Sequence, residues 1–119
     1  MATIFEPPAD YCARFRSMLG SGRTIMAPGA FNPLAAIQAR EAGFECLYFS
    51  GAAFSAGMGM PDLGLFTLGE LSDAVRKMVA VARLPLIVDV DTGFGETLNV
   101  ARTVREIEDA GAAAIQIED

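Results

Sequence analysis

Short apolar runs alternate with longer amphipathic segments along this chain, and this alternation constrains the fold more than any other feature. The apolar runs predict strands at residues 24–27, 46–50, 86–90 and 113–117, and helical spacing of apolar residues lies between them. The resulting β-α-β-α-β-α-β order predicts a parallel sheet with right-handed crossovers. Open α/β sheets and closed (β/α)8 barrels both have this order, and both bind ligands at the carboxyl ends of their strands.

Capping residues mark where the predicted helices begin. Asn32 followed by Pro33 is a favourable helix start, and Thr67 with Glu70 forms a capping box at the head of another helix. The predicted helices cover residues 11–19, 33–42, 67–83 and 98–110. Residues 51–64 are expected to form a loop, and a connection of that length often has a function.

The composition excludes several classes of function. With 119 residues, the chain is expected to form one domain, with residues 1–10 as a loose arm that is not a signal peptide. The net charge of −6 argues against nucleic acid and anionic membranes as partners, and no apolar run approaches the roughly 18 residues of a membrane span. The absence of histidine excludes Ser-His-Asp catalysis and histidine-ligated metal within this chain. Cys12 and Cys46 are expected to be free thiols in a reducing cytoplasm.

The strongest chemical signal follows the predicted strand 86–90. Asp89 and Asp91 are two residues apart, so we expect their side chains to share one face at the carboxyl end of that strand. Two carboxylates about 4 Å apart repel each other by about 4 kcal/mol at an effective dielectric constant of about 20. A divalent cation would remove that repulsion, and an all-oxygen site suits Mg²⁺ or Mn²⁺ better than Zn²⁺. The alternative is a pair of solvated loop aspartates.

Other acidic residues follow the neighbouring predicted strands. Asp62 lies in the loop after strand 46–50, and Glu118 follows strand 113–117. Because the carboxyl ends of parallel strands meet at one rim, both are expected to lie near the two aspartates described above. This convergence favours a metal site over solvated aspartates. No GxGxxG sequence opens a helix after the first strand, which argues against dinucleotide binding.

Five motifs occur in a characteristic order along the chain. They are Tyr48-Phe-Ser-Gly-Ala-Ala, Gly59-Met-Pro-Asp-Leu-Gly64, Val88-Asp-Val-Asp-Thr-Gly-Phe-Gly95, Asn99-Val-Ala-Arg-Thr-Val and Ala110-Gly-Ala-Ala-Ala-Ile-Gln-Ile-Glu-Asp119. From about residue 20 to residue 119 the pattern resembles the isocitrate lyase/phosphoenolpyruvate mutase superfamily, and within it the methylisocitrate lyase branch. The resemblance implies an α/β fold that is the N-terminal half of a (β/α)8 TIM-type barrel, with about four βα units and the last helix missing.

The superfamily resemblance also implies an activity. It indicates a Mg²⁺-dependent carbon–carbon lyase, with Mn²⁺ as an alternative metal, that acts on a small 2-hydroxy dicarboxylate or tricarboxylate. The methylisocitrate lyase branch implies cleavage of 2-methylisocitrate to pyruvate and succinate through a metal-stabilised enolate. Oxaloacetate decarboxylases, dimethylmalate lyases and phosphonopyruvate-handling relatives share much of the pattern, so their reactions are the enzymatic alternatives.

Residue roles follow from matching the superfamily motifs position by position. Acidic residues would hold the metal directly or through its water, and residues after the second predicted strand would bind substrate oxygens. The metal residues are Asp89 and Asp91, with Asp62 and Glu118 acting through water; the substrate residues are Ser50, Gly51 and Ala52; and the catalytic residues near the metal are Tyr48 and Asp62.

The superfamily pattern continues past the Ile-Glu-Asp motif at 117–119 into a loop with a Lys-(Lys/Arg)-Cys-Gly-His motif, whose cysteine is the proposed acid for the departing fragment. Neither Cys12 nor Cys46 lies in such a motif. Residues 1–119 alone are therefore expected to be inactive or nearly so, and the alternative to an enzyme is a non-catalytic remnant that only binds partners. A full-length member is expected to be a cytoplasmic homo-oligomer, most simply a tetramer.

Overall fold

The computed structural model describes residues 9–119, in which five helices and three short strands are found. In chain order the elements are α1 (Tyr11–Leu19), α2 (Pro33–Glu41), β1 (Leu47–Phe49), α3 (Gly51–Gly57), α4 (Leu68–Ala82), β2 (Leu86–Asp89), α5 (Thr97–Asp109) and β3 (Ala114–Gln116). Residues 1–8 of the predicted arm lie outside the described part. Asp10, the last residue of that arm, caps α1 by accepting a hydrogen bond from the Ala13 N–H.

The three strands form a parallel sheet in the order β1-β2-β3, which confirms the predicted α/β class. Leu47 pairs with Leu86 in the β1–β2 ladder, and Ile87 pairs with Ala114 in the β2–β3 ladder. The order in space therefore repeats the order along the chain. All three strands end on the same side of the sheet, and this places the segments that follow them next to one another.

The two faces of the sheet differ in what covers them. One face joins α2, α4 and α5 in one hydrophobic core; it consists of the fully buried Leu47, Phe49, Leu86 and Val88 and the partly buried Ile115. Each such side chain contributes about 1.5–3 kcal/mol by leaving water, so this face holds the sheet to its helices. The opposite face is only partly buried or exposed and consists of Tyr48, Ile87, Asp89, Ala114 and Gln116.

The strand predicted at residues 24–27 is wrong. Met26 in that segment is 72% exposed. The nearest pairing is a single parallel bridge just after the segment, between Gly29 and Tyr48. The Ala30 N–H donates to the Tyr48 carbonyl at 2.9 Å, and the Tyr48 N–H donates to the Pro28 carbonyl at 3.0 Å. Because proline has no N–H, Pro28 cannot donate the hydrogen bond that would extend this pairing back toward residues 24–27. The described residues thus contain three strands where the sequence predicted four.

The helix starts confirm the predicted caps. The Asn32 side chain accepts from the Ala35 N–H, and Thr67 and Glu70 form the reciprocal bonds of a capping box. The loop predicted at 51–64 is in part a helix, because α3 occupies its first half. Ser50 caps α3 by accepting from the Ala53 N–H, and this serine is the sequence signal that the loop prediction missed.

A bilayer-spanning helix is not present among residues 9–119, since none of their helices is both long enough and apolar enough.

Candidate metal centre

A small cavity lies where β1, β2 and β3 end. It has a volume of about 70 Å³, more than one water molecule needs, and it is lined by Gly51, Asp62, Phe66, Asp89, Asp91 and Glu118. The structure therefore brings together the four acidic residues that the sequence analysis expected to converge. The loop after α3, the end of β2 and the end of β3 each supply part of this acidic lining.

Asp89, the last residue of β2, is oriented by backbone N–H groups at both of its carboxylate oxygens. Its Oδ2 accepts a hydrogen bond from the Gly51 N–H at 3.1 Å, and its Oδ1 accepts from the Asp91 N–H at 3.0 Å. A carboxylate oxygen has two lone pairs, so each oxygen can still bind a cation. The Gly51 amide, expected to bind substrate, donates to Asp89 in this structure, and its substrate role stays a prediction.

Asp91 lies beyond the strand, so the prediction that strand alternation places it on one face with Asp89 is wrong. The strand ends at Asp89, and Asp91 has a left-handed backbone with φ of 53°, so strand alternation does not apply to it. A turn brings the two carboxylates to the same cavity instead. The Asp91 carbonyl accepts a hydrogen bond from the Glu118 N–H at 2.9 Å, which joins the acidic residues after β2 and β3.

Two glycines allow backbone to approach the aspartate carboxylates closely. A Cβ atom at Gly51 would lie 3.1 Å from Oδ2 of Asp89, and one at Gly64 would lie 3.2 Å from Oδ2 of Asp91. The segment after α3 that carries Asp62 therefore passes directly beside the Asp91 carboxylate. Larger side chains at either glycine would intrude on these oxygens and narrow the cavity.

The predicted site residues Tyr48, Ser50 and Ala52, from β1 and the start of α3, do not line this cavity. The Tyr48 hydroxyl donates to Oε1 of Gln116 at 2.8 Å. Burial raises the pKa of Tyr48, and the negative charges of Asp89 and Glu118 raise it further, so the phenol keeps its proton at neutral pH. The Ser50 hydroxyl oxygen accepts from the Ala53 N–H at 3.2 Å, and its own proton remains available to an acceptor.

The chemistry of these donors fits a hard divalent cation. Among residues 9–119, no three Asp, Glu or Cys side chains are close enough together to bind one ion directly, although four carboxylates line the cavity. These two observations agree if one or two carboxylates bind directly and the others bind through water. Mg²⁺ keeps several of its waters in this way and is bound by one or two carboxylates.

Aromatic residues packed behind the cavity were not predicted from the sequence. The ring centroids of Phe49 and Phe54, and those of Phe54 and Phe66, are each 5.2 Å apart, and Phe66 lies 5.8 Å from Phe94. Phe66 lines the cavity and is 5% exposed. Its position just before the capping residue of α4 is that of a hydrophobic staple, and this signal could have found it.

The fold and the cavity define a parallel α/β protein with a cluster of carboxylates at the carboxyl ends of its strands. The family model described as phosphoenolpyruvate phosphomutase matches residues 15–119. The chain belongs to this phosphoenolpyruvate mutase/isocitrate lyase family, as the sequence motifs indicated.

Individual relatives agree with this assignment. A 2-methylisocitrate lyase from Aeropyrum pernix is 55% identical over 120 residues, which cover 100% of this chain and 39% of that protein. A 2-methylisocitrate lyase from Bacillus subtilis is 46% identical over 110 residues, covering 92% of this chain and 36% of its own length. The chain thus spans less than half the length of the curated relatives it matches.

Solved structures confirm the fold. The crystal structure of phosphonopyruvate hydrolase in complex with oxalate and Mg²⁺ matches with a TM-score of 0.88 and 38% identity, over 92% of this chain and 38% of that one. The structure of 2,3-dimethylmalate lyase, a member of the same superfamily, matches with a TM-score of 0.84 and 35% identity, over 95% and 41%. Residues 9–119 therefore have the α/β fold of the corresponding part of this barrel superfamily.

Proposed function

We propose that this chain forms the metal-binding part of a Mg²⁺-dependent carbon–carbon lyase that cleaves 2-methylisocitrate to pyruvate and succinate. The observation that carries the proposal is the single cavity lined by Asp62, Asp89, Asp91 and Glu118. The name of the Aeropyrum pernix relative supports the substrate, and the Mg²⁺ and oxalate bound by phosphonopyruvate hydrolase support the metal and a small carboxylate ligand. A cytoplasmic tetramer is part of the same proposal.

Asp91 would hold the ion directly, together with Asp89, and Asp62 and Glu118 would hold its waters. Bound there, Mg²⁺ would supply positive charge that polarises the substrate and offsets the negative charge that develops during cleavage. The Gly51 and Asp91 N–H groups keep the Asp89 carboxylate oriented before substrate arrives. Because the Asp89 carboxylate is already oriented, it does not have to rearrange during the reaction.

Cleavage requires that the substrate hydroxyl lose a proton, that the adjacent carbon–carbon bond break and that the succinate carbon gain a proton. Tyr48 and Ser50 are the hydroxyl groups of this chain that would bind substrate oxygens, and Ala52 would contribute backbone. The Tyr48 phenol is protonated at neutral pH and can donate a hydrogen bond. The superfamily resemblance assigns the final protonation to a cysteine outside residues 1–119, so these residues alone are expected to turn over little substrate.

The second candidate is oxaloacetate decarboxylation or a phosphonopyruvate reaction at the same site. The observation in its favour is that phosphonopyruvate hydrolase, whose structure holds oxalate and Mg²⁺, matches this chain with 38% identity. These reactions also develop negative charge on a small oxo-acid, and they would use the same carboxylates.

A chimera tests the proposal without requiring residues 1–119 to act alone. Residues 20–119 would replace the matching segment of the Aeropyrum pernix 2-methylisocitrate lyase, with which the chain is 55% identical. The purified chimera is expected to release pyruvate from 2-methylisocitrate with Mg²⁺ and to stop when the metal is chelated. Asp91→Asn removes a charged ligand and should lower turnover by at least about 100-fold.

The matched control is Glu41→Gln, which removes one negative charge from the exposed end of α2 and should leave turnover unchanged. A folded chimera that uses oxaloacetate or phosphonopyruvate but not 2-methylisocitrate would favour the second candidate. Turnover by Asp91→Asn equal to that of the parent chimera would contradict the metal role.

A further inference from the structure

Thr103 is a fully buried polar residue in the middle of α5. Its hydroxyl donates a 2.8 Å hydrogen bond to the carbonyl oxygen of Gly93, which lies in the loop after β2. A threonine hydroxyl in a helix ordinarily bonds a carbonyl one turn back, so this bond instead joins the helix to another segment. Valine would fill the same volume, but it would leave the carbonyl of the buried Gly93 without this donor.

The Gly93 carbonyl belongs to a turn that carries Asp91. The Gly93 N–H donates to the Val90 carbonyl at 2.9 Å, which makes Asp91 the first central residue of a four-residue turn. Gly93 therefore uses its N–H to close the turn and its carbonyl to attach the turn to α5. Asp91 needs this support because its φ of 53° is one that residues other than glycine rarely adopt.

The first turns of α5 are shaped to fit the same loop. A Cβ atom at Gly93 would lie 2.7 Å from Cγ2 of Val100, and one at Gly95 would lie 2.4 Å from Nδ2 of Asn99. The backbone of the loop therefore lies close against the first turns of α5. The hydrogen bond from Thr103 opposes movement of the loop away from the helix.

We infer that Thr103 is a positioning residue for the metal centre: its hydroxyl holds the 90–93 turn so that the Asp91 carboxylate stays in the cavity it shares with Asp89. This inference rests on the proposed function, since it requires a cation at those carboxylates. Groups that orient a metal ligand without touching the metal change metal affinity by about 10- to 100-fold when they are removed.

The test compares Thr103→Val, Thr103→Ser and Ile107→Val in the purified protein, with Mn²⁺ as a paramagnetic probe. Thr103→Val keeps the shape and removes the donor, and it should weaken Mn²⁺ binding by about 10- to 100-fold. Thr103→Ser keeps the hydroxyl and should bind within about threefold of wild type. Ile107 is buried one turn further along α5, so Ile107→Val controls for general loss of stability. Amide hydrogen exchange of residues 91–95, followed without metal, should quicken only in Thr103→Val.

The outcomes separate this inference from the proposed function. Mn²⁺ binding by wild type that is lost in Asp91→Asn supports the metal site, and equal affinity of Thr103→Val and wild type would then overturn the role of Thr103 alone. Affinity lowered equally in Thr103→Val and Ile107→Val would overturn it as well. Failure of wild type to bind Mn²⁺ would overturn the metal site, and unchanged exchange at 91–95 in Thr103→Val would separately overturn the positioning of the loop.

Discussion

Replacing Gly93 with alanine should cost much of the stability of this protein, for two separable reasons. Gly93 has φ of 96°, and a Cβ atom there would lie 2.7 Å from Cγ2 of Val100 and 3.3 Å from its Cβ. A left-handed backbone costs an L-residue about 1–2 kcal/mol, and overpacking costs about 1–3 kcal/mol. Alanine also restricts the unfolded chain more than glycine does, and this stabilises the folded protein by about 0.4–1 kcal/mol.

The net expectation is a loss of about 1–5 kcal/mol in the free energy of unfolding, out of about 5–15 kcal/mol for a typical domain. Two other glycines separate the causes. Gly22 has φ of 74° with nothing near its Cβ position, so Gly22→Ala should show the backbone cost without overpacking, about 0–1.6 kcal/mol after the same gain from the unfolded chain. Gly29 has neither feature, so Gly29→Ala should be neutral or stabilising by up to about 1 kcal/mol.

Urea unfolding followed by circular dichroism measures the series. Val100→Ala provides the decisive comparison, because it removes both methyl groups that the new Cβ would meet. In that background Gly93→Ala should lose only its backbone cost, and the difference between backgrounds should be about 1–3 kcal/mol. A Gly93→Ala cost no larger than that of Gly22→Ala, or one unchanged by Val100→Ala, would refute this reasoning.

Two further predictions follow from groups with shifted pKa values. Because the folded pKa of Tyr48 is raised, its contribution to stability is complete below about pH 10, the unfolded value, and is lost as the pH rises through the folded pKa. Urea unfolding at several alkaline pH values should therefore show a shallower decline for Tyr48→Phe than for wild type, and equal declines would contradict the assignment. Burial raises the pKa of the Cys46 thiol, so a thiol reagent should label the half-buried Cys12 first and Cys46 only after urea is added. Equal rates in the native protein would show that Cys46 is accessible.

The sequence predicted best those elements whose ends are marked by side-chain hydrogen bonds. Asn32 and Thr67 fix the starts of α2 and α4 through local bonds, so no knowledge of the rest of the fold was needed. The strand prediction for segment 24–27 was wrong because an apolar run indicates only a preference for strand structure. Whether the segment pairs as a strand depends also on the neighbouring strand and on Pro28. Tertiary context decided that case.

The sequence predicted where the acidic cavity lies, but not the backbone conformation of the residues that line it. The rule that parallel strands end at one rim was sufficient to bring Asp62 and Glu118 to Asp91. Asp91 has a left-handed conformation, and its carbonyl accepts from the Glu118 N–H far along the chain; the local sequence pattern predicts neither. Thr103 was missed for the same reason, since its partner Gly93 belongs to a different element.

The strand order β1-β2-β3 has a consequence for how the protein is made. A ribosome delivers the strands in the order in which they lie side by side, so each new strand meets the edge completed just before it. No strand has to be inserted between two that have already paired, and no earlier contact has to open. Folding can therefore keep pace with synthesis, one strand and its helix at a time.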